Sequence, residues 1–324
     1  MSTKPRVAIY YFVVPSTNYR NDGGPLYSFY NLKKILDPAS VKWIGESCKF
    51  ESSQQVMRLT PYGKPDQCGT FDLNIMVDHG EDAIGVPLDF EYPHPSAYWV
   101  SDAHINENAY KHRLETARKF DFVFLAQREF IDQFAADGIP REKMFFLPHA
   151  VEPMVYKPWP IIEKWDWCFI GHPNSEHRID LIDRFMKEFP SRYVGWREPA
   201  WLGYNVLEDA ARKFCQSRLI VSDSIKKDLN MRTFEALGCK KLLLTNKFPA
   251  LEEVFENGKH LIAYDSIDDA IASAHELLAD EDRRNQIAEQ GYQEVISKHT
   301  YEHRMREILR VCLNYVPKGE LQLC

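Results

Sequence analysis

The stretch 218–246, RLIVSDSIKKDLNMRTFEALGCKKLLLTN, narrows the possible folds more than any other. Leu219, Ile220 and Val221 form an apolar run that ends at Ser222 and Asp223, and Leu242, Leu243 and Leu244 form a second that ends at Thr245. Short apolar runs without polar alternation are the pattern of parallel strands covered on both faces. A polar loop and a short helix fit between them. The same succession recurs throughout the chain. Strands are expected over 7–14, 41–44, 71–77, 98–100, 122–126 and 144–147, then over 167–170, 193–195, 219–221, 242–244 and 261–264. Helical patterns separate them, notably from Pro25, over 107–119 and 128–137, from Ser175, and over 267–278, 280–298 and 300–314. No helix or strand is assigned over 46–70, a stretch suited to loops or a pair of edge strands. Strands alternating with helices in both halves predict an α/β protein of parallel sheets with helices on both faces.

A chain of 324 residues is long enough for two domains, each with its own core. Pro148, Pro153, Pro158 and Pro160 interrupt all periodicity, so a linker is placed near 150–164, separating a domain over 1–155 from one over 156–324. A composition 44% hydrophobic and 27% charged is that of a soluble globular protein. No apolar run approaches the roughly 20 residues that span a bilayer, so stable membrane insertion is not expected. The run over 7–14 leads into Pro15 without a small-residue cleavage site and reads as a buried strand rather than a signal peptide. Seven cysteines, scattered and odd in number, form neither a disulfide framework nor a zinc site, which suits reduced thiols in a cytoplasm. A net charge of −7 speaks against a general electrostatic grip on nucleic acid or anionic lipid.

The candidate chemistry lies where strands end. Asn230 is a favoured helix N-cap, and the first turn after it presents unpaired N–H groups and a positive dipole end to an anion such as a phosphate. Arg232 and Glu235, three apart, share one helix face. An arginine that forks onto a diphosphate, beside a carboxylate that accepts from two ribose hydroxyls, is a sensible pair for a nucleotide. Ligands of open α/β sheets sit beyond the carboxyl ends of the strands. That edge holds Gly23 and Gly24 after the first strand, Asp78 and His79 after 71–77, Asp102 and His104 after 98–100, and Gly171 with Arg178 after 167–170. Trp196, just past 193–195, is placed to line a base pocket. Each has a plainer reading: Gly23 and Gly24 as a turn, His104 as a structural histidine, Arg178 as a solvated charge, Trp196 as packing.

The segment NMRTFEALG at 230–238 with the strand after it resembles the donor site of GT-B glycosyltransferases, in particular the spore-maturation-type group. The likeness continues through GKHLIAYD at 258–265, reaches His299, Thr300, Tyr301 and Arg304, and includes YWVSDAH at 98–104. It implies two Rossmann-like domains facing across a cleft, with the last helix crossing back to the first. It also implies a metal-independent enzyme without a cofactor, whose donor is a nucleotide-sugar, UDP by default. Asn230, Arg232, Glu235, Arg178, Gly171, Trp196, Gly23 and Gly24 would then serve the donor, with His104, Asp102 and Asp78 at the reacting centre. Where many retaining members carry a first glutamate, eight positions before the second, this chain has Lys227, and Asp228 is one residue off that register. Retention is implied by the resemblance alone; an inverting enzyme would draw its base from Asp78, Asp102 or His104. The acceptor remains open among a saccharide, a glycolipid, a protein and a modified nucleobase. A GT-B sugar-nucleotide epimerase and a non-catalytic nucleotide-sugar-binding module are the competing readings.

Overall fold

Neighbouring residues of each buried strand pack into different layers, which is why the runs tolerate no polar position. In the strand Ser217–Val221, Leu219 and Val221 join one core with Trp167, Phe169, Leu242 and Leu244, while Ile220 joins another with Cys168 and Leu243. Both faces of the sheet are therefore covered. The structure, a computed structural model, describes residues 4–11, 23–51, 56–62, 70–78, 91–171, 175–195 and 207–316. The chain divides into two units, one of Met1–Pro148 with Tyr301–Gln322 and one centred on His149–Thr300.

The first unit contains β1 (Val7–Tyr11), α1 (Gly23–Ile35), β2 (Val41–Glu51), β3 (Val56–Tyr62), β4 (Leu73–Val77), β5 (Ser96–Val100), α2 (Glu107–Ala117), β6 (Phe122–Leu125), α3 (Glu129–Ala136) and β7 (Met144–Phe146). Its sheet runs β3-β2-β1-β4-β5-β6-β7, parallel except for the β2–β3 hairpin. The stretch left unassigned over 46–70 is thus largely that hairpin, and the strand expected over 41–44 runs on to Glu51. The order reverses between β1 and β4, the switch point of a doubly wound sheet. Helix α1 begins at Gly23 rather than at Pro25, so Gly23 and Gly24 lie in its first turn and not in a preceding loop. The reason is simple: first-turn N–H groups have no intrahelical partner, so a proline there costs no hydrogen bond. Residues 12–22, with the rest of the expected loop, lie outside the described residues, as do His79 and Trp196.

The second unit contains β8 (Trp165–Phe169), α4 (Glu176–Glu188), β9 (Arg192–Val194), α5 (Leu207–Cys215), β10 (Ser217–Val221), α6 (Met231–Gly238), β11 (Leu242–Asn246), α7 (Pro249–Glu252), β12 (Ile262–Tyr264), α8 (Ile267–Ala279) and α9 (Glu281–Lys298). Its five strands are all parallel, in the order β12-β11-β10-β8-β9. Here the order reverses between β8 and β10. Helices α5 and α7 were not expected from the sequence. Two glycines allow close helix packing: a Cβ on Gly291 of α9 would stand 2.2 Å from the His260 carbonyl oxygen, and one on Gly238 of α6 would stand 2.5 Å from Val151 Cγ2.

Helix α10 (Tyr301–Leu313) belongs to the first unit. It lies on α1, where the Tyr27 and Tyr301 rings meet edge to face at 5.1 Å and Lys34 pairs with buried Glu302 at 2.9 Å. Arg304 Nε donates to the Pro148 carbonyl at 2.7 Å, fastening α10 to the end of the unit's own chain. Among the described residues no helix is long and apolar enough to cross a membrane.

Candidate functional site

The switch point of the second unit gathers charge. Strand β8 leads into Ile170 and Gly171, and β10 leads into Ser222, Asp223 and Ser224. Between them stand two guanidinium groups. Arg178, in the first turn of α4 behind its N-cap Ser175, donates from Nη2 to the Asp223 carbonyl and lies with Nε 3.9 Å from the Asp223 carboxylate. Arg232, in the first turn of α6, donates from Nη1 to the Ile170 carbonyl and from Nε to Glu235 Oε2 at 3.3 Å. Glu235 is only 4% exposed. A Cβ on Gly171 would press on the Phe169 ring, 3.2 Å from Cζ, and would lie in ordinary contact, 4.0 Å, with Arg178 Nη1. Burial pushes Arg178 below the usual guanidinium value, Asp223 draws it back up, and Arg232 lowers it further.

The loop before α6 is stitched from within. The Asn246 side chain accepts from the Ser224 N–H at 2.7 Å and donates to the Ser224 carbonyl at 2.9 Å, in the manner of one more strand residue. Ser224 Oγ donates to Asp228 Oδ1 at 2.7 Å and accepts from the Asp228 N–H at 2.9 Å. Asp228 is therefore committed to holding the turn, and it is 5% exposed. Lys227 has φ +55°, the left-handed region, and is exposed. Asn230 caps α6 by backbone geometry, without a side-chain hydrogen bond to the helix, and its Oδ1 is buried with no hydrogen-bond partner among the described residues. Tyr264, at the end of β12, donates to the Ser222 carbonyl at 3.0 Å and reaches Asp223 Oδ1 at 3.3 Å; His177 Nδ1 stands 3.3 Å from the same carboxylate oxygen. Sequence reasoning did not single out Asp223, Ser224, Asn246, Tyr264 or His177. Except for His177 on α4, all sit at the carboxyl ends of strands, the signal that could have found them.

In the first unit, Asp78 follows β4 and is buried. Its carboxylate takes Arg113 Nε at 2.5 Å and the Ser101 N–H at 3.2 Å. Arg113, on α2, is 0% exposed and was not expected from the sequence. Burial opposes its charge, but Asp78, Tyr98 and Asp102 together outweigh that and hold it above the usual guanidinium value. Asp102 is partly exposed with φ +43°, and its carbonyl accepts from the Ile105 N–H at 3.3 Å, closing a turn that carries His104. His104 is partly exposed, its ring 6.5 Å from that of Phe130. Asp78 thus bonds a guanidinium whose charge Asp102 also favours.

Residues 179–310 match the family model described as glycosyl transferase-like. No curated protein matches the chain in sequence. Among solved structures, S. aureus TarM in complex with Fondaparinux, alpha-GlcNAc-glycerol and UDP is similar with a TM-score of 0.55 at 12% identity, over 74% of this chain and 55% of that one. The chain thus spans about half the length of TarM. Anabaena HepE in complex with UDP-glucose is similar with a TM-score of 0.64 at 11% identity, over 95% of this chain and 99% of that one. Sucrose-phosphate synthase from Thermosynechococcus elongatus is similar with a TM-score of 0.62 at 9% identity, over 94% and 97%. The fold is that of the GT-B glycosyltransferases. Within it, the stretch from α4 to α10 that bears Arg232 and Glu235 is glycosyl transferase-like in sequence.

Proposed function

We propose that the protein is a glycosyltransferase that takes a nucleotide-diphosphate sugar, with UDP the default nucleotide, and passes the sugar to an acceptor hydroxyl. The observation that carries this reading is the pair Arg178 and Arg232 at the β8–β10 switch point, two partly buried cations held to main-chain carbonyls and crowding one another. A diphosphate is the anion that such a pair, with the opening turn of α6, is suited to hold. Glu235, already oriented by Arg232, would take the ribose hydroxyls. With these groups offsetting the charge of the leaving diphosphate, the reaction calls for neither a divalent ion nor a cofactor. In the first unit, Asp102 and His104 are assigned to the acceptor and the transferred sugar, and Asp78 to holding their turn. Retention of the anomeric configuration follows the resemblance to the spore-maturation-type group. The acceptor is drawn from saccharides, glycolipids, proteins and modified nucleobases, and the setting is the cytoplasm. The UDP and UDP-glucose bound to TarM and HepE favour UDP here.

A thermal-shift panel of UDP-, GDP-, ADP- and TDP-sugars tests this. A ligand bound only by the folded chain and present at 100 times its Kd adds about 2.7 kcal/mol of stability. UDP-sugars should raise Tm in the native protein and raise it markedly less in Arg232→Ala or Glu235→Ala. Absence of a shift with every nucleotide-sugar overturns the proposal. Product analysis without an acceptor separates transfer from epimerisation, since an interconverted sugar nucleotide would mark the latter.

A further inference from the structure

Arg113 is a fully buried charge in the first unit, and the transfer chemistry does not use it. Its side chain is 0% exposed, on a helix whose other buried residues are mostly small or apolar. Isolating a guanidinium in a protein interior is expensive unless its hydrogen bonds are met. Here they are met by Asp78 and by a carbonyl of its own helix. Asp78 takes Nε at 2.5 Å and Nη2 at 3.5 Å, and the Ala109 carbonyl takes Nη1 at 3.4 Å. The same Asp78 carboxylate holds the Ser101 N–H, the first residue after β5, and the Asp78 N–H donates to the Trp99 carbonyl at 2.9 Å. The turn that carries Asp102 and His104 therefore starts from a residue bonded to the Arg113–Asp78 pair.

The second link is electrostatic. Asp78 and Tyr98 do most to hold the Arg113 charge against its burial, and Asp102 adds to them; the attraction between Asp102 and Arg113 is mutual. Asp102 also stands in the left-handed region, a conformation aspartate tolerates but that a surrounding structure must impose. Among the described residues, Tyr98 on β5 and Tyr92 also stand at this corner, and His104 lies in the same turn as Asp102. Tyr98 is held protonated by its burial and by Asp78, and Tyr92 by its burial and by Tyr10, so neither carries a charge that competes with Arg113.

We propose that Arg113 is a positioning residue for the transfer: clamped by Asp78, it fixes the turn that presents Asp102 and His104, and it supplies the buried positive charge against which Asp102 holds its own negative charge. This rests on the assignment of Asp102 and His104 to the reacting centre, and its test has a readout free of that assignment. Arg113→Gln alone leaves Asp78 buried and unpaired and can fail to fold, so the decisive protein is Asp78→Asn/Arg113→Gln, which keeps a hydrogen-bonded pair of similar shape without charge. The carboxyl of Asp102 is followed against pH by NMR of aspartate labelled with carbon-13 at the carboxyl, assigned through Asp102→Asn. Release of UDP from UDP-glucose is followed over the same pH range. Relative to Asp78→Asn alone, the double variant should show a higher Asp102 midpoint, as expected when a neighbouring opposite charge is removed at constant Asp78 chemistry. The acid limb of UDP release should move with it. Arg113→Lys, which keeps the charge but not the fork, should restore the midpoint and not the full rate. An Asp102 midpoint that is the same in folded Asp78→Asn and in the folded double variant overturns the proposal. A native protein that releases no UDP while Asp102 still follows Arg113 counts against glycosyl transfer and in favour of the clamp.

Discussion

The guanidinium of Arg232 is bonded to the carbonyl oxygen of Ile170, the residue that follows β8, so the first turn of α6 is tied to the end of a strand 62 positions earlier in the chain. The bond fixes the long side chain across the switch point before any ligand arrives. Charge-assisted hydrogen bonds of this kind are worth about 1.5–3 kcal/mol each. Arg232→Ala is therefore expected to weaken UDP binding by roughly tenfold to a hundredfold, measured by calorimetric titration. Arg232→Lys should recover little of it, because an ammonium cannot fork onto both the carbonyl and Glu235. An unchanged Kd in Arg232→Ala would remove this residue from the donor site.

Gly291 of α9 lies against the His260 carbonyl, and the space admits no methyl group: a Cβ would meet the carbonyl oxygen at 2.2 Å and Leu237 Cδ2 at 2.8 Å. Backbone on one side and the buried Leu237 on the other leave little room to yield. Gly291→Ala is expected to destabilise the second unit by about 1–3 kcal/mol despite the better helix propensity of alanine. Urea denaturation reads the change directly. The same substitution should lower Tm without altering the Kd for UDP once the chain is folded.

Much of this architecture was legible because it is written locally. Leu219 to Val221 announce a two-faced strand, and Arg232 and Glu235 announce a shared helix face, from positions within a few residues of one another. What escaped reading depends on distant partners. Arg113 meets Asp78 from 35 positions away and Arg178 meets Asp223 from 45, and no periodicity records such a pairing. Asp78 illustrates the point: a strand-end aspartate looks like a candidate base until its buried arginine is seen. Asp228 is similar, since only the fold reveals that its carboxylate is occupied by Ser224. The α1 boundary was misplaced for a different reason, namely that a proline in a first turn looks the same as a proline just before one.

His260 introduces a pH dependence into the second unit. Burial pushes its imidazole below the usual histidine value, and Nδ1 accepts from the Glu256 N–H at 3.2 Å, a bond that protonation of that nitrogen would break. The folded state therefore keeps this ring neutral where the unfolded chain would charge it. Below the ordinary histidine value of 6.5 the unfolded state binds the extra proton, so stability falls as the pH drops through that point and levels off below the lowered folded value. Urea unfolding at pH 7.5 and 5.5 should show a smaller difference in His260→Asn than in the native protein. Equal differences in the two proteins would place the pH dependence elsewhere.

Asn246 offers the sharpest separation of binding from stability. Its side chain makes two hydrogen bonds to the backbone of Ser224, and Ser224 in turn holds Asp228, two residues before the α6 cap. Asn246 itself lies at the end of β11 and belongs to none of the charged groups assigned to the donor. Replacing it with alanine leaves the Ser224 amide and carbonyl to find water, at a cost of about 1–2 kcal/mol spread over the turn. Because that turn leads to Asn230 and Arg232, the loss should appear as a several-fold weaker Kd for UDP and as faster amide exchange over 222–230, with a drop in Tm of a few degrees at most. A large fall in Tm with no change in UDP affinity would mean that the Asn246 to Ser224 contact supports the sheet and not the site.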